Sequence, residues 1–173
     1  MQMILHGLAV DLPSVHTKLY ELQVAAPPEE VWKFFSTVEA LSVLTPPNRR
    51  MKLIGSERAV VDGALHVMRI WVLGLVPVIW KSRISQVTSP YGFTDQAEKS
   101  PFQFWRHRHD MIPTNGGTLI RDIVAYIVPF GKLGKAVNKL FVGKDLDRLF
   151  EHRHRVLRER FGTPQSSESS ATH

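Results

Sequence analysis

Residues 102–128 have the sequence FQFWRHRHDMIPTNGGTLIRDIVAYIV, in which two β-like segments flank Asn115-Gly116. Both segments are rich in β-branched and aromatic residues, which favour strands. Asn-Gly is typical of a two-residue hairpin turn, and such a turn pairs Thr114 with Gly117. Counting back from that pair places His109 opposite Asp122. The stretch therefore predicts an antiparallel hairpin of defined register, around which the other elements can be arranged.

This register decides which side chains share a face, because successive side chains in a strand point to opposite sides. One face carries Trp105, His107, His109, Met111, Ile120, Asp122, Val124 and Tyr126. The other carries Arg106, Arg108, Asp110 and Arg121 among its residues, so we expect it to face water. The first face should then point inward. A slip of one residue would instead turn both histidines outward.

Further β-like segments precede the hairpin. They are residues 17–24, 51–57, 64–73, 76–88 and 91–98, and the hairpin strands themselves are predicted at 102–112 and 118–128. Turn-forming residues, such as Asp62-Gly63 and Ser89-Pro90, separate the segments. The short gaps after residue 51 indicate antiparallel hairpins in a meander, because parallel strands need long crossover connections.

Helical patterns lie on both sides of this β-rich region. After the first strand, Pro27-Pro28-Glu29-Glu30 has the prolines and acidic residues of a helix start. A second short helical turn should end before Pro46, because the residue before a proline avoids the helical region. From Lys132 to Phe161, apolar residues approximate one stripe of a long amphipathic helix. Gly143 is a predicted kink within it.

This order of elements predicts an α+β fold: a curved antiparallel sheet of about six to seven strands that grips one long C-terminal helix, with short helices after the first strand. The apolar face of such a sheet must be covered, and the C-terminal helix is the only long amphipathic element available. We expect a single domain over residues 1–162 and a disordered polar tail over residues 163–173. Apolar space left between sheet and helix would form a ligand cavity.

The composition excludes several classes of protein. The chain has 173 residues and no cysteine, so it has no disulfide framework and no thiol nucleophile. The N-terminus lacks the basic start of a secretory signal, with no Lys or Arg before Lys18. The longest apolar run, residues 70–80, is too short to span a bilayer. We therefore expect a soluble, cytoplasmic protein.

The charge of +6 raises the question of an anionic partner. The basic residues cluster between Arg148 and Arg160, where a helix would present them mainly as a solvated face. No helix-turn-helix, RNP or zinc-finger spacing accompanies them. Nucleic acid is therefore not an expected partner, whereas a transient contact with a membrane surface stays open.

Several motifs resemble the START-like, or SRPBCC, superfamily of helix-grip proteins, and within it the bacterial polyketide cyclase/dehydrase type. The resemblance covers roughly residues 15–162. It is carried by Pro28-x-x-Val31-Trp32-x-Phe34-Phe35, Trp80-x-x-Arg83-Ile84, Phe93-x-Asp95, Pro101-Phe102-x-x-Trp105-x-His107-x-His109, Thr118-x-x-x-Asp122-x-x-x-Tyr126-x-x-Pro129-Phe130-Gly131-x-x-Gly134 and Phe150-x-x-Arg153. Ser100 stands where other members typically have Gly. Members of the superfamily bind lipids, sterols, quinones, polyketides or plant hormones, and a minority are cyclases or hydrolases.

The candidate ligand-binding residues are Trp105, His107, His109, Asp122, Tyr126, Asp95, Arg83 and Phe93. We expect Asp122 and His109 to form a cross-strand pair that Asp95 joins, together with Arg83. Three interpretations are open: a satisfied structural network, recognition of the polar head of an apolar ligand, or chemistry. For chemistry, His109 and Asp122 are the candidate catalytic residues, as a general base pair. Two histidines with a carboxylate also resemble a metal site, although the sequence commits us to neither a metal nor another cofactor.

The function we expect is binding, and with it transport or sensing, of a small hydrophobic molecule of lipid, quinone or polyketide/aromatic type. The first alternative is a cyclase/dehydrase- or hydrolase-type enzyme that uses His109 and Asp122. The second is an adaptor for a membrane surface or nucleic acid that uses the basic C-terminal helix. The oligomeric state stays open.

Overall fold

The computed structural model of the chain describes residues 15–72, 75–129 and 138–164, together with two paired strands of two residues each near the N-terminus. Those short strands are Ile4–Leu5 and Leu8–Ala9. The polar tail from residue 165 onward and the predicted start of the long helix lie outside the described residues.

The main sheet has seven antiparallel strands in the order β1-β7-β6-β5-β4-β3-β2. They are β1 (His16–Val24), β2 (Met51–Leu53), β3 (Leu65–Val72), β4 (Val76–Thr88), β5 (Gly92–Lys99), β6 (Phe104–Thr114) and β7 (Gly117–Ile127). Strands β2 to β7 form a meander, and β1 pairs with β7 to place the first strand beside the last. The predicted α+β fold, a curved antiparallel sheet gripping a C-terminal helix, is confirmed.

Within the described residues, three α-helices accompany the sheet: α1 (Pro28–Phe35), α2 (Glu39–Leu44) and α3 (Gly143–Phe161). Helix α1 begins at a proline, whose missing N–H costs nothing at a helix start, and has Glu29 and Glu30 in its first turn. A turn of π-helix, Asn138–Val142, precedes α3, so the interruption predicted at Gly143 coincides with the change from π- to α-helix. Gly162 ends α3 with a positive φ of 72°.

The predicted register of the central hairpin is confirmed. Thr114 pairs with Gly117, and His109 lies opposite Asp122. The alternation along β6 and β7 follows that register, because the face with the two histidines is buried and the face with the arginines is not. Strand β2 ends earlier than expected, since the N–H groups of Ile54 and Gly55 both donate to the Val67 carbonyl and the ladder stops there.

The interior between sheet and α3 contains two hydrophobic clusters. The larger cluster contains Leu22, Val24, Ala26, Val31, Phe35, Leu44, Val60, Ala64, Ile84, Phe93, Met111, Ile120, Leu157 and Phe161. The smaller cluster contains Trp105, Val124, Tyr126, Leu146 and Phe150. Helix α3 contributes to both, and Phe150 stacks on Tyr20 of β1 with ring centroids 3.8 Å apart. The helix is thus fixed at both ends of the interior.

No helix among the residues that the structure describes is both long and apolar enough to cross a membrane.

The turn between β6 and β7 places Gly117 against the end of β1, and this contact generates a stability prediction. Gly117 has a φ of 143°, and a Cβ there would collide with the Val24 carbonyl oxygen. Gly63 is a matched control, because its φ is 84° and open space surrounds it. We expect Gly117→Ala to lower the free energy of unfolding by at least about 2 kcal/mol more than Gly63→Ala. Urea denaturation measures the free energy of unfolding of both variants. Equal losses would contradict the close approach of Gly117 to the Val24 carbonyl oxygen.

Candidate functional site

A layer of polar side chains separates the two hydrophobic clusters. On β6 the inward residues are Trp105, His107, His109 and Met111, so both histidines lie between a member of each cluster. On β7, Asp122 lies in the same way between Ile120 and Val124. We call this layer the polar belt. It consists of Asp95, His107, His109 and Asp122 from the sheet and Arg153 and His154 from α3.

One carboxylate oxygen of Asp122 contacts both histidines. His107 Nε2 donates a hydrogen bond of 2.8 Å to Asp122 Oδ1. His109 Nδ1 lies 2.9 Å from the same oxygen, but it is misaligned for a hydrogen bond, and Nδ1 is a buried nitrogen without a hydrogen-bond partner. The expected cross-strand contact between His109 and Asp122 is therefore present as an ionic contact, whereas the aligned hydrogen bond goes to His107.

Asp95 lies on the opposite side of the two imidazoles. Its Oδ2 atom is 3.6 Å from His107 Nδ1 and 3.5 Å from His109 Nε2. Ser82 Oγ donates a hydrogen bond of 2.9 Å to the other oxygen, Oδ1. The strand pairing explains this position, because His107 is the register partner of Asp95 on the neighbouring strand. Asp95 joins the cluster as predicted.

Two opposing effects determine the pKa values in the polar belt: burial favours the neutral form of each group, and close contacts between carboxylates and imidazoles favour the charged forms. Burial acts to raise the pKa values of Asp122 and Asp95, but the two imidazoles outweigh it and hold both pKa values below their usual range. Burial acts to lower the pKa of His109, yet contacts with both carboxylates bring it above its ordinary value. Burial and the charge of His109 lower the pKa of His107. The two carboxylates thus favour the charged form of His109, whereas burial beside His109 favours the neutral form of His107.

Helix α3 completes the belt with Arg153 and His154. Both lie one helical turn from Phe150 and Leu157, and the Arg153 guanidinium carbon is 5.0 Å from the Phe150 ring centroid. Burial lowers the pKa of Arg153, opposed by the nearby charges of Asp122 and Asp95. Arg153 Nε and His154 Nε2 are buried atoms for which the described part of the chain offers no hydrogen-bond partner. Each side chain is partly exposed as a whole, so the belt reaches solvent along the helix.

The predicted aromatic residues surround the belt. Phe93 stacks on His109 with ring centroids 4.3 Å apart. Trp105 is buried and meets Trp80 edge to face at 5.2 Å. Tyr126 is fully buried, and its hydroxyl donates to Asn138 Oδ1 at 2.7 Å. The structure therefore brings these rings to the site mainly as its walls.

The prediction for Arg83 is wrong. Its side chain projects from the outer face of β4, donates to Glu98 Oε1 at 2.8 Å and to the Gly63 carbonyl, and is 42% exposed. Its neighbours Ser82 and Ile84 are the inward residues. Alternation in the strand excludes Arg83 from the belt and gives Asp95 a serine partner in its place.

Sequence reasoning missed Ser82, Arg153 and His154. Arg153 and His154 lie three and four residues after Phe150, and four and three residues before Leu157. On a helix this spacing places them on the same face as those two buried residues. That spacing was a signal that two basic residues of an otherwise solvated face turn inward. No comparable signal marked Ser82, whose inward position depends on an irregularity in the β4–β5 pairing next to it.

Three belt residues have the atoms of a metal site. One ligand atom each from Asp95, His107 and His109 lie within 4.8 Å of one another. Imidazole nitrogen and carboxylate oxygen are donors that suit Zn²⁺ and Fe²⁺. The residues therefore fit a divalent transition metal ion by donor type.

An open cleft of about 400 Å³ lies elsewhere, between the loop after α2 and the first half of α3. Its walls include the exposed ion pair between Arg49 and Asp145, at 2.6 Å. Its lining residues are Pro46, Pro47, Asn48, Arg49, Asp145, Arg148, Glu151, His152 and Arg155. Because this lining is charged and solvated, we assign the candidate site to the polar belt.

Comparison with known proteins supports the fold. Residues 22–161 match the family described as "Domain of unknown function (DUF8410)". Among curated proteins, none matches the sequence.

Solved structures resemble the chain at low identity. A START superfamily protein from Mycobacterium smegmatis is 17% identical, with a TM-score of 0.59 over 84% of this chain and 98% of that one. Norcoclaurine synthase from Thalictrum flavum, in complex with dopamine and hydroxybenzaldehyde, is 18% identical, with a TM-score of 0.60 over 92% and 97%. Ara h 8.0201 is 14% identical, with a TM-score of 0.59 over 84% and 99%. At these identities the likeness establishes a START-like helix-grip fold.

The contacts of Asp122 generate a second stability prediction. We expect Asp122→Asn to lower the free energy of unfolding by about 3 kcal/mol, because it weakens contacts to two buried imidazoles at once. Asp147→Asn is the control, since Asp147 pairs with Lys18 at 2.9 Å but is 43% exposed, and its loss should be under about 1 kcal/mol. Urea denaturation with a chelator present compares the two. Similar losses would show that the belt does not depend on Asp122.

Proposed function

This chain belongs to the family described as "Domain of unknown function (DUF8410)" and has the START-like helix-grip fold, and we propose that it binds a small hydrophobic molecule between the sheet and α3. The site is the polar belt together with the aromatic side chains that border it.

One observation carries this proposal: nitrogen atoms of the belt are buried without partners between two apolar clusters. Among the residues that the structure describes, they are Arg153 Nε and His154 Nε2. A buried donor without an acceptor costs about 1–3 kcal/mol. A ligand that supplies oxygen acceptors at this level, and apolar surface toward the clusters on each side, would remove that cost.

The surroundings favour an aromatic ligand over a flexible acyl chain. Phe93, Trp105 and Phe150 flank the belt, and aromatic faces pack well against flat ring systems. The partnerless Arg153 Nε–H requires an acceptor such as a carbonyl, phenolate or carboxylate oxygen. A polyketide-, quinone- or phenol-type molecule combines both features. Norcoclaurine synthase, which shares the fold, is seen with two aromatic molecules.

Carriage or sensing in the cytoplasm is favoured over catalysis by His109 and Asp122. A general base of the His–Asp type needs its second nitrogen oriented by an aligned hydrogen bond. Here the aligned bond holds His107, and the contact with His109 is off-axis. Both imidazoles are also almost fully buried. The arrangement therefore suits retention of a ligand better than turnover.

Extraction of the purified protein, followed by mass spectrometry, identifies any molecule that co-purifies with it. We expect a stoichiometric aromatic compound with at least one acceptor oxygen. A saturated acyl lipid in its place would contradict the aromatic part of the proposal.

Binding of 8-anilinonaphthalene-1-sulfonate, an aromatic probe with acceptor oxygens, tests the role of Arg153. We expect saturable binding at one equivalent, with a Kd that Arg153→Gln raises about ten-fold or more, because a hydrogen bond to a charged donor contributes about 1.5–3 kcal/mol. Arg158→Gln removes the same charge from an exposed position of the same helix and should leave the Kd unchanged. If both substitutions raised the Kd equally, Arg153 would act only through non-specific charge attraction. That result would contradict the proposal.

A further inference from the structure

The geometry points to a binding site for one divalent transition metal ion, of the Zn²⁺ class, formed by Asp95 Oδ2, His107 Nδ1 and His109 Nε2. This inference goes beyond ligand binding and does not depend on it. Three protein ligands of this kind leave at least one position open, as in catalytic zinc sites.

The distances around Asp95 fit an ion better than they fit direct contact. Its Oδ2 atom is 3.6 Å from His107 Nδ1 and 3.5 Å from His109 Nε2, beyond the usual range of hydrogen bonds. A tetrahedral ion bound at about 2.0–2.2 Å separates its ligand atoms by about 3.4 Å. The third side of the triangle, between the two nitrogens, is also within 4.8 Å. Two of the three separations therefore match those around such an ion, and the third has 4.8 Å as its upper bound.

Asp122 lies beside the other nitrogen of each imidazole, so the nitrogens near Asp95 are the ones placed to act as ligands. Its Oδ1 atom is 2.8 Å from His107 Nε2 and 2.9 Å from His109 Nδ1. When a metal binds one nitrogen of a histidine, the other N–H is commonly given to a carboxylate, which fixes the tautomer. Here a single carboxylate faces both histidines.

The ligating carboxylate is supported in a similar way. Ser82 Oγ donates to Asp95 Oδ1 at 2.9 Å, so that oxygen is occupied and Oδ2 is left for the ion. The carboxylates of Asp95 and Asp122 lie on opposite sides of the two imidazoles, and two acidic groups at one site favour binding of a cation. The histidine side chains are only 4% and 6% exposed, whereas that of Asp95 is 19% exposed and provides a route of entry.

Titration of the chelator-treated full-length protein with Co²⁺ tests the site, because low-coordinate Co²⁺ with nitrogen ligands absorbs visible light strongly. We expect saturation at one equivalent per chain. Asp95→Asn should weaken binding at least about ten-fold and abolish the intense absorption. Asp110→Asn is the matched control, because Asp110 lies on the same sheet but pairs with Arg108 on the other face, and it should bind as the wild type does.

Thermal unfolding with and without Zn²⁺ gives a readout that does not depend on the Co²⁺ spectrum. Zn²⁺ should raise the Tm of the wild type and of Asp110→Asn, but not that of Asp95→Asn. If Asp95→Asn failed to fold, His109→Gln would serve as a second variant. The inference would be overturned by the absence of saturable Co²⁺ binding to the wild type. It would also be overturned by binding that survives Asp95→Asn, which would place the ion on the histidines of α3.

Discussion

The contact of Asp122 with two histidines is the constraint on which the interior depends. A carboxylate at this depth is costly to bury, and it is tolerated because His107 donates to it and His109 lies against it. Those contacts require His109 to be the register partner of Asp122 on the next strand. A slip of one residue would bring Arg108 or Asp110 opposite Asp122 and remove its contacts with the two histidines. The pairing of β6 with β7 is therefore specified electrostatically as well as by the turn.

Much of the fold was predictable because local rules and tertiary packing agree here. Asn115-Gly116 sets the turn, the turn sets the register, and the register brings Trp105, His107 and His109 onto one inward face. The neighbourhood of Asp95 was predictable for the same reason, since it follows Phe93 on the inward face of the preceding strand. In each case the position of a residue follows from the pairing of two strands that are consecutive in the sequence.

The errors arise where position depends on a longer-range or irregular feature. Arg83 follows a register shift in β4, and strand alternation then places it on the outer face. Arg153 belongs to a strongly basic stretch, so composition suggested solvent, although its spacing from Phe150 and Leu157 indicates the buried stripe. That interpretation gave more weight to the density of basic residues than to the spacing of the apolar ones. In the structure, the packing of α3 against both hydrophobic clusters determines which side chains are buried. The hydrogen bond of Asp122 to His107 depends on side-chain rotamers, which strand pairing alone does not define.

The polar belt also divides the hydrophobic interior into two parts that do not merge. The two parts are then held together by the backbone of the sheet, by α3 and by the layer between them. Arg153 Nε and His154 Nε2 have no hydrogen-bond partner among the described residues, so the proposed ligand would stabilise the folded protein by binding there. Marginal stability determines how much of a protein escapes degradation in a cell. Under the proposed function, the abundance of this protein would therefore rise and fall with the supply of its ligand.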